Sequence, residues 1–378
     1  MSVSLVELKL ESPTILVERA GRAGYSSISG RIGGSTLRGS IISWAFRMGY
    51  VRDIGAERND PKLIVHPAYP TKGGETARPP TPYIFECKER PRRLVDTLGR
   101  ERVRELSLAS SLEEMLSLSG SPSSECDLMK DIPGSTVRVR SPVIGMEAGE
   151  IEEVDVMASV GINKMLRAAE RGMLYNYEVI LPGAEFSTLI VDMSEGRYIE
   201  FIKNEKRLFI GRGISRGFGR VSVTVKWEKD MEPLIEDLKG KVDEWIFERN
   251  GRRRIALYSR SPAASISLSR EDGYIASPIP EADEGWLRGK IEIPKDSAGR
   301  PLAIGFRTVF RSVAYPTGLP RPSFLCSREG SVFIAELSGD ASAAVALGSL
   351  IGWDRSSCLG LNIIQPLGWW YDDPLYHR

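Results

Sequence analysis

Histidine is almost missing from this chain of 378 residues: His66 and His377 are the only two. Sites that need several imidazoles are excluded by that count. The four cysteines, Cys87, Cys126, Cys326 and Cys358, stand far apart with no C-x-x-C pair. No zinc or other metal site is expected, and the thiols are expected to be isolated and reduced. No apolar run reaches the roughly 18 residues that span a bilayer, so membrane insertion is not expected. The opening MSVSLVELKL has no basic segment followed by an apolar core, which makes a cytoplasmic location the expectation. A Gly-Lys-Ser/Thr run is missing, and Gly211, Gly213 and Gly217 give G-x-G-x-x-x-G opening a strand rather than G-x-G-x-x-G opening a helix. Walker-type nucleotide hydrolysis and dinucleotide chemistry thereby recede, and no cofactor is expected. Glutamine occurs once, at Gln365, a shortage of heat-labile amides that fits a heat-adapted source.

What is present is an ordinary globular composition, 42% hydrophobic and 27% charged, in a chain long enough for two to three domains. With 51 basic against 50 acidic residues, a diffusely polycationic surface is excluded, but a local basic groove is not. The basic set holds 37 Arg and 14 Lys. The planar fork of arginine reads phosphate with two parallel hydrogen bonds and stacks on bases, a weak tilt toward nucleic acid that heat adaptation of the surface discounts.

Residues 3–10 alternate apolar and polar as a half-buried first strand. In GGSTLRGSIISWAFRMG, Ser35 has the character of an N-cap, and Leu37, Ile41, Trp44, Ala45 and Met48 share one helical face before Gly49. From Val51 to Ser141 the pattern breaks into Pro-rich and Arg-rich pieces with one amphipathic helix around 92–118, as in an insertion. Residues 155–171 are expected as a helix. YNYEVILPGAEFSTLIV then gives two strands about Pro182 and Gly183. The glycine-rich IGRGISRGFGR leads into the strand VSVTVKW, and a charged linker follows Trp227. IGWDRSSCLGLNII repeats the layout of IGRGISRGFGRVSV near the end of the second half: Gly211 and Gly219 match Gly352 and Gly360, and duplication is the preferred explanation.

In the first loop, glycines let backbone N–H groups approach a phosphate chain with no Cβ between. Arg212, Arg216 and Arg220 would supply charge, Ser215 a hydroxyl, and Phe218 a flat face for a base. Arg38 lies one turn into a helix whose N-terminus favours anions, with Ser35 and Thr36 offering hydroxyls. The competing reading for both places is structural: a packing turn and a plain cap.

Together these residues resemble a known family. A helix opened by G-S-x-L-R-G after the first strand, with R-G-F-G-R before the last strand of the first half, looks like the RAMP superfamily of CRISPR-associated proteins. HPAYPT, PPTPYIFECK, Val95-Asp96-Thr97-Leu98, NKMLRAAERGMLYNYEVILPGAEF and GLPRPSFLCSREGSVF are similar, in that order, to the large RAMP subunit of type III-D interference complexes, of the group that holds the 5′ handle of the CRISPR RNA. The resemblance implies an α+β fold of two tandem ferredoxin-like (RRM-like) domains, 1–228 with an insertion at about 51–141, and 229–378. It implies a non-catalytic subunit that holds the crRNA beside other type III subunits, with target RNA a possible further partner. The RNA-contacting positions it implies are Ser35, Arg38, Asn163, Lys164, and Gly211, Arg212, Gly213, Ser215, Arg216, Gly217, Phe218, Gly219 and Arg220. Tyr175, in the strand that follows, is an aromatic platform or a core tyrosine. The second loop keeps Arg355 and carries Trp353.

Some relatives of this superfamily cut RNA with a histidine. The helix at 36–48 has none, His66 sits in the Pro-rich stretch, and His377 is next to last; both are expected as surface residues. Glu150, Glu152, Glu153 and Asp155 alternate across a strand and are expected as a solvated edge rather than a metal site. The chain is expected not to be an enzyme. Two alternatives stand beside the RNA-holding subunit: a metal-independent endoribonuclease that processes repeat RNA, and a protein scaffold whose glycine loops only pack.

Overall fold

The computed structural model describes residues 1–16, 19–21, 24–26, 30–87, 94–119, 136–139, 141–149, 154–163, 165, 167–269, 273–281, 287–310 and 323–376. The fold is α+β, built from small, mostly antiparallel sheets with helices against them. It forms two compact units, Met1–Ala77 with Gly149–Glu228, and Arg78–Ala148 with Lys229–Arg378. The stretch expected as an insertion into the first domain is divided between them: residues 51–77 pack in the first unit and those from Arg78 in the second.

The first unit contains β1 (Ser2–Leu10), α1 (Gly34–Arg47), β2 (Leu63–Val65), β3 (Tyr69–Lys72), β4 (Val154–Asn163), β5 (Ala168–Ile180), β6 (Glu185–Asp192), α2 (Arg197–Glu205), β7 (Arg207–Phe209) and β8 (Arg220–Asp230). Its main sheet runs in the order β7-β8-β1-β6-β3, with β2 also on β6. β1 and β6 are antiparallel, with Ser2 opposite Asp192 and Lys9 opposite Glu185. Because side chains alternate along a strand, Val6, Leu8 and Leu10 share one face. They join Leu37, Ile41 and Ala45 of α1 and Tyr198, Phe201 and Ile202 of α2 in one core.

Two buried carboxylates lock the helices to that sheet. Asp192 accepts from the backbone N–H of Tyr198 (2.8 Å) and Ile199 (3.1 Å), stabilising a negative charge at the start of α2. Glu57 receives Arg38 (2.7 Å) and the Tyr198 hydroxyl (2.9 Å). Burial, with the Glu57 charge alongside, pushes the Tyr198 phenol far above its ordinary value.

Three local expectations are corrected. Helix α1 begins at Gly34 with Gly33 as N-cap, so Ser35 lies in its first turn and caps nothing. The chain enters so close to β2 that a Cβ at residue 34 would overlap the Val65 carbonyl oxygen. Met48 is half exposed because the helix stops at Arg47. Residues 155–171 are not helical: Val154, Val156, Val160 and Ile162 are β-branched, stiff at χ1, and form β4, paired with β5. Between 92 and 118 the expected single helix is broken into a strand Leu94–Asp96 and helices Val103–Ser107 and Leu112–Ser117. Ser111 starts the last of these, its Oγ accepting from Glu114 N at 3.1 Å while Glu114 accepts from Ser110 N at 2.6 Å, a reciprocal cap that interrupts the apolar period.

In the second unit, α3 (Met231–Asp243) packs on α4 (Ala341–Ile351). Strand β9 (Arg252–Ser259) lies between β10 (Val332–Leu337) and β11 (Ile364–Pro366). Ile255 stands opposite Ala335, and Tyr258 opposite Gln365. Strand β9 is thus flanked by the last strand of its unit and by the strand preceding α4, as β1 is flanked by β8 and β6. The 103–117 helices join β9 through Arg254 to Ala109 O (2.8 Å) and Ala256 N to Ser107 Oγ (3.0 Å). Near the C-terminus Arg260 and Asp373, both fully buried, pair at 3.1 Å.

Burial opposes ionisation of Glu336, but Arg254 and Arg252 outweigh it and hold its carboxyl below its usual value. A depressed folded value means stability that is present above the ordinary glutamate pKa of about 4.3 and is lost as pH falls through the folded one. Glu336→Gln is therefore expected to flatten the acid limb of a stability-versus-pH curve measured by denaturant titration. Asp373→Ala, which leaves the Arg260 charge buried, is expected to cost about 3–5 kcal/mol in the same measurement.

Candidate nucleic-acid interface

The glycine-rich loop closes the hairpin of β7 and β8, in which Phe209 pairs with Arg220. Ile210 N–H donates to Gly219 O at 2.8 Å across its base. Residues 13–15 run alongside: Gly219 N–H donates to Pro13 O (2.9 Å) and Arg212 N–H to Ile15 O (3.0 Å). Two glycines make this approach possible. Both have positive φ, +76° at Gly211 and +78° at Gly219, and a Cβ would overlap the carbonyl oxygen of Ile15 at the first and of Ile210 at the second. Between them Ile214–Arg216 form a single 3-10 turn between Gly213 and Gly217, and Ser215, Arg216 and Gly217 at the tip are exposed.

The side chains divide into two groups. Arg212 and Arg216 are exposed, and Arg216 makes no ion pair among the described residues. Its guanidinium lies 5.8 Å from the Tyr177 ring and 5.9 Å from Phe218, within cation–π range. Phe218 is partly buried against Ile15, Tyr177 and Val179. Arg220 instead pairs with Glu11 at 3.0 Å, and Arg207 approaches the same carboxylate at 3.9 Å. The loop therefore exposes Arg212, Ser215 and Arg216, with the Phe218 and Tyr177 rings near Arg216 and Arg220 tethered at its exit.

The other positions singled out from the sequence are not gathered here. Arg38 points into its own unit, its Nε donating to Leu63 O at 2.8 Å and its Nη2 to Glu57. Ser35 is half-buried in the first turn of α1, and neither residue makes a hydrogen bond or ion pair to the loop. Helix α1 meets the loop's leading strand further along, through Ser40 Oγ to Phe209 O (2.7 Å) and Trp44 against the Phe209 ring (4.9 Å). Asn163 ends β4 opposite Ala168. Lys164 lies outside the described residues, as do Glu150, Glu152, Glu153 and His377. Tyr175 lies in β5 opposite Ser159. Two further residues shape the site, Tyr177 and Glu11. Tyr177 lies one strand repeat beyond Tyr175, and no local pattern in the sequence marks Glu11.

His66 is a correction: expected at the surface, it is fully buried. It directly follows β2 against β6, its N–H donating to Leu189 O (3.0 Å) and its carbonyl accepting the Thr188 hydroxyl (2.7 Å). A substrate phosphate has no access to an imidazole in that position. Asp155 is exposed, its carboxylate accepting from Val156 N at 2.7 Å. Among the described residues no group of three or more His, Cys, Asp or Glu is placed to hold a metal, and no helix is long and apolar enough to cross a membrane.

The second loop shares the backbone plan and differs in what it exposes. Gly352 (φ +84°) and Gly360 (φ +78°) bracket a 3-10 turn, Arg355–Leu359. At the position matching Arg212 stands Trp353, 1% exposed. Asn362 then ties the loop inward: its Oδ1 accepts from Ala264 N (2.8 Å), and its Nδ2 donates to Ala264 O (2.7 Å) and Asp354 (2.9 Å).

Gly219→Ala is expected to lower the thermal midpoint of the protein, by the equivalent of about 1–3 kcal/mol, because strain and overlap act together there. Gly217→Asn, at a φ of +91° with open space around it, is expected to cost well under about 1 kcal/mol. Differential scanning calorimetry of the two variants checks the contrast.

No family model matches the chain, and no curated protein matches it. Among solved structures, the chain is similar to a chain of the cryo-EM structure of type III-B Cmr-beta bound to cognate target RNA and AMPPnP, at 12% identity and a TM-score of 0.45, covering 87% of this chain and 86% of that one. A chain of the same assembly bound to cognate target RNA gives 11% identity, a TM-score of 0.43, and 87% and 86% coverage. A chain of the apo state gives 12% identity and a TM-score of 0.33 over 59% of this chain and 97% of that one.

Proposed function

We propose that this protein is a non-catalytic RNA-holding subunit of a type III CRISPR interference ribonucleoprotein and that its first glycine-rich loop grips the crRNA, at the 5′ handle. The observation that carries the reading is the loop itself: two exposed arginines, Arg212 and Arg216, and an exposed serine on a backbone turned by glycines, beside the Phe218 and Tyr177 rings. Guanidinium groups and backbone N–H groups suit phosphates, and an aromatic edge suits an unstacked base. The ordered sequence blocks that resemble the RAMP superfamily supply the RNA and the assembly, and with them the reading of both units as ferredoxin-like domains. The β-α-β-β-α-β order of β1, α1, β2/β3, β6, α2 and β8 supports that reading for the first unit. Ser35, Asn163 and Lys164 are secondary contacts in this proposal, and Arg38 acts through the fold by its pairing with Glu57. The burial of His66 weighs against the histidine-dependent nuclease alternative.

Arg212→Ala and Arg216→Ala are each expected to weaken RNA binding and to reduce the slope of log affinity against log salt by about 0.7 per lost single-strand phosphate contact. Unchanged slopes in both would mean that the loop does not hold phosphate. Isolation of the tagged chain from its host is expected to bring down guide RNAs with one repeat-derived 5′ end together with other RAMP subunits. A chain recovered without small RNA would favour the scaffold reading.

A further inference from the structure

At the base of the β7–β8 hairpin two guanidiniums share one carboxylate. Arg220 pairs with Glu11 at 3.0 Å, and Arg207 approaches the same oxygen at 3.9 Å. Phe209 stands opposite Arg220, and Arg207 opposite Ser222, so both arginines lie on the sheet face away from the core residues Leu208, Val221 and Val223. The backbone fixes Glu11 there: its N–H donates to Arg220 O at 2.9 Å, and the next residue, Ser12, accepts the Arg220 N–H on its Oγ at 2.9 Å. Further along the same sheet, Lys9 and Lys226 each have a carboxylate of their own, Glu185 at 2.9 Å and Glu7 at 2.8 Å. Beside the loop the ratio is two cations to one anion. Arg207 is the less engaged of the two, its side chain 67% exposed and its contact with Glu11 longer than a hydrogen bond. The surplus positive charge therefore stands next to the stretch that carries Arg212 and Arg216.

We infer that Arg207, outside the glycine-rich loop, is a further RNA-contacting residue: with Arg220 it takes one backbone phosphate beyond those held by the loop, and Glu11 limits the affinity of that position. Carboxylate and phosphate offer a guanidinium the same forked acceptor, so a carboxylate shared by two arginines marks a place that a phosphate also fits. The resident carboxylate competes for both guanidiniums and repels the phosphate that approaches them. The inference rests on the reading of the loop as an RNA grip and adds two residues to it, one that favours binding and one that opposes it.

The test is titration of the full chain into a fluorescein-labelled single-stranded guide RNA with the repeat-derived 5′ end, over a range of salt concentrations. Arg207→Ala is expected to weaken binding about two- to fivefold and to reduce the slope of log affinity against log salt by about 0.7. Glu11→Gln, which keeps the shape of the side chain and removes its charge, is expected to act in the opposite sense, tightening binding about two- to fivefold and steepening the slope. Glu7→Gln changes the net charge equally on the same sheet face and is expected to leave affinity and slope near those of the unchanged chain. Thermal midpoints of the three variants show that each is folded. If Arg216→Ala lowers the slope while Arg207→Ala leaves it unchanged, or while Glu11→Gln binds no more tightly, the inference fails and the reading of the loop stands. An equal gain in Glu7→Gln would assign the effect to net charge and would also overturn it. Binding that ignores salt, or is absent in the unchanged chain, overturns the reading of the loop and this inference together.

Discussion

The close passage of residues 13–15 against the glycine-rich loop is the constraint on which the candidate interface depends. Two backbone segments lie within hydrogen-bonding reach, Pro13 O with Gly219 N–H and Ile15 O with Arg212 N–H; a Cβ at 211 would overlap Ile15 O, and one at 219 would overlap Ile210 O across the loop's base. That contact fixes where the 3-10 turn stands and therefore which way Ser215 and Arg216 face. It also brings Ile15 beside Tyr177, so that β5 supplies the aromatic floor of a loop roughly forty residues further along the chain. A flexible loop would lose ordering entropy on meeting a ligand, and a loop already tied at both ends has less to lose.

Charge is handled differently inside and outside. Within the units, carboxylates are buried only with several donors: Asp192 with backbone N–H groups, Glu57 with Arg38 and Tyr198, Asp373 with Arg260. An unpaired charge in such places would be destabilising by several kcal/mol, so these arginines serve the fold. At the first loop the reverse holds. Glu11 holds Arg220 and approaches Arg207, while no carboxylate among the described residues pairs with Arg216. An arginine-rich sequence thus contains guanidiniums of two kinds, and only burial and partners separate them.

The two glycine-rich loops make the same point in one molecule. Their positive-φ glycines are eight residues apart in both, 211 and 219 against 352 and 360, and each pair brackets a 3-10 turn. Exchange of Arg212 for the buried Trp353, with Asn362 bonded to Ala264, ties the start of the second loop inward, while its Arg355 stays exposed. The spacing of glycines sets a backbone shape, and the residues between decide whether that shape faces solvent or core.

Much of the architecture was legible in the chain. Alternation marked β1 and the strands about Pro182, and glycine spacing marked both loops, because these signals are local and periodic. The α+β class came instead from the family resemblance, and the structure has it. The helix expected at 155–171 was not legible as a ribbon, because its apolar residues satisfy both periods in part and pairing with β5 decides between them. The segment from Arg78 to Ala148 packs with the second unit through contacts such as Arg254 with Ala109, which no local pattern announces. Sequence alone determined which residues can turn tightly and which can carry charge. Tertiary structure decided that Arg38 faces Glu57 while Arg216 stays at the surface, and that His66 is buried. The reason is physical: the worth of a charge or a donor depends on the partners and the water around it, and those are set by chain segments far away in sequence.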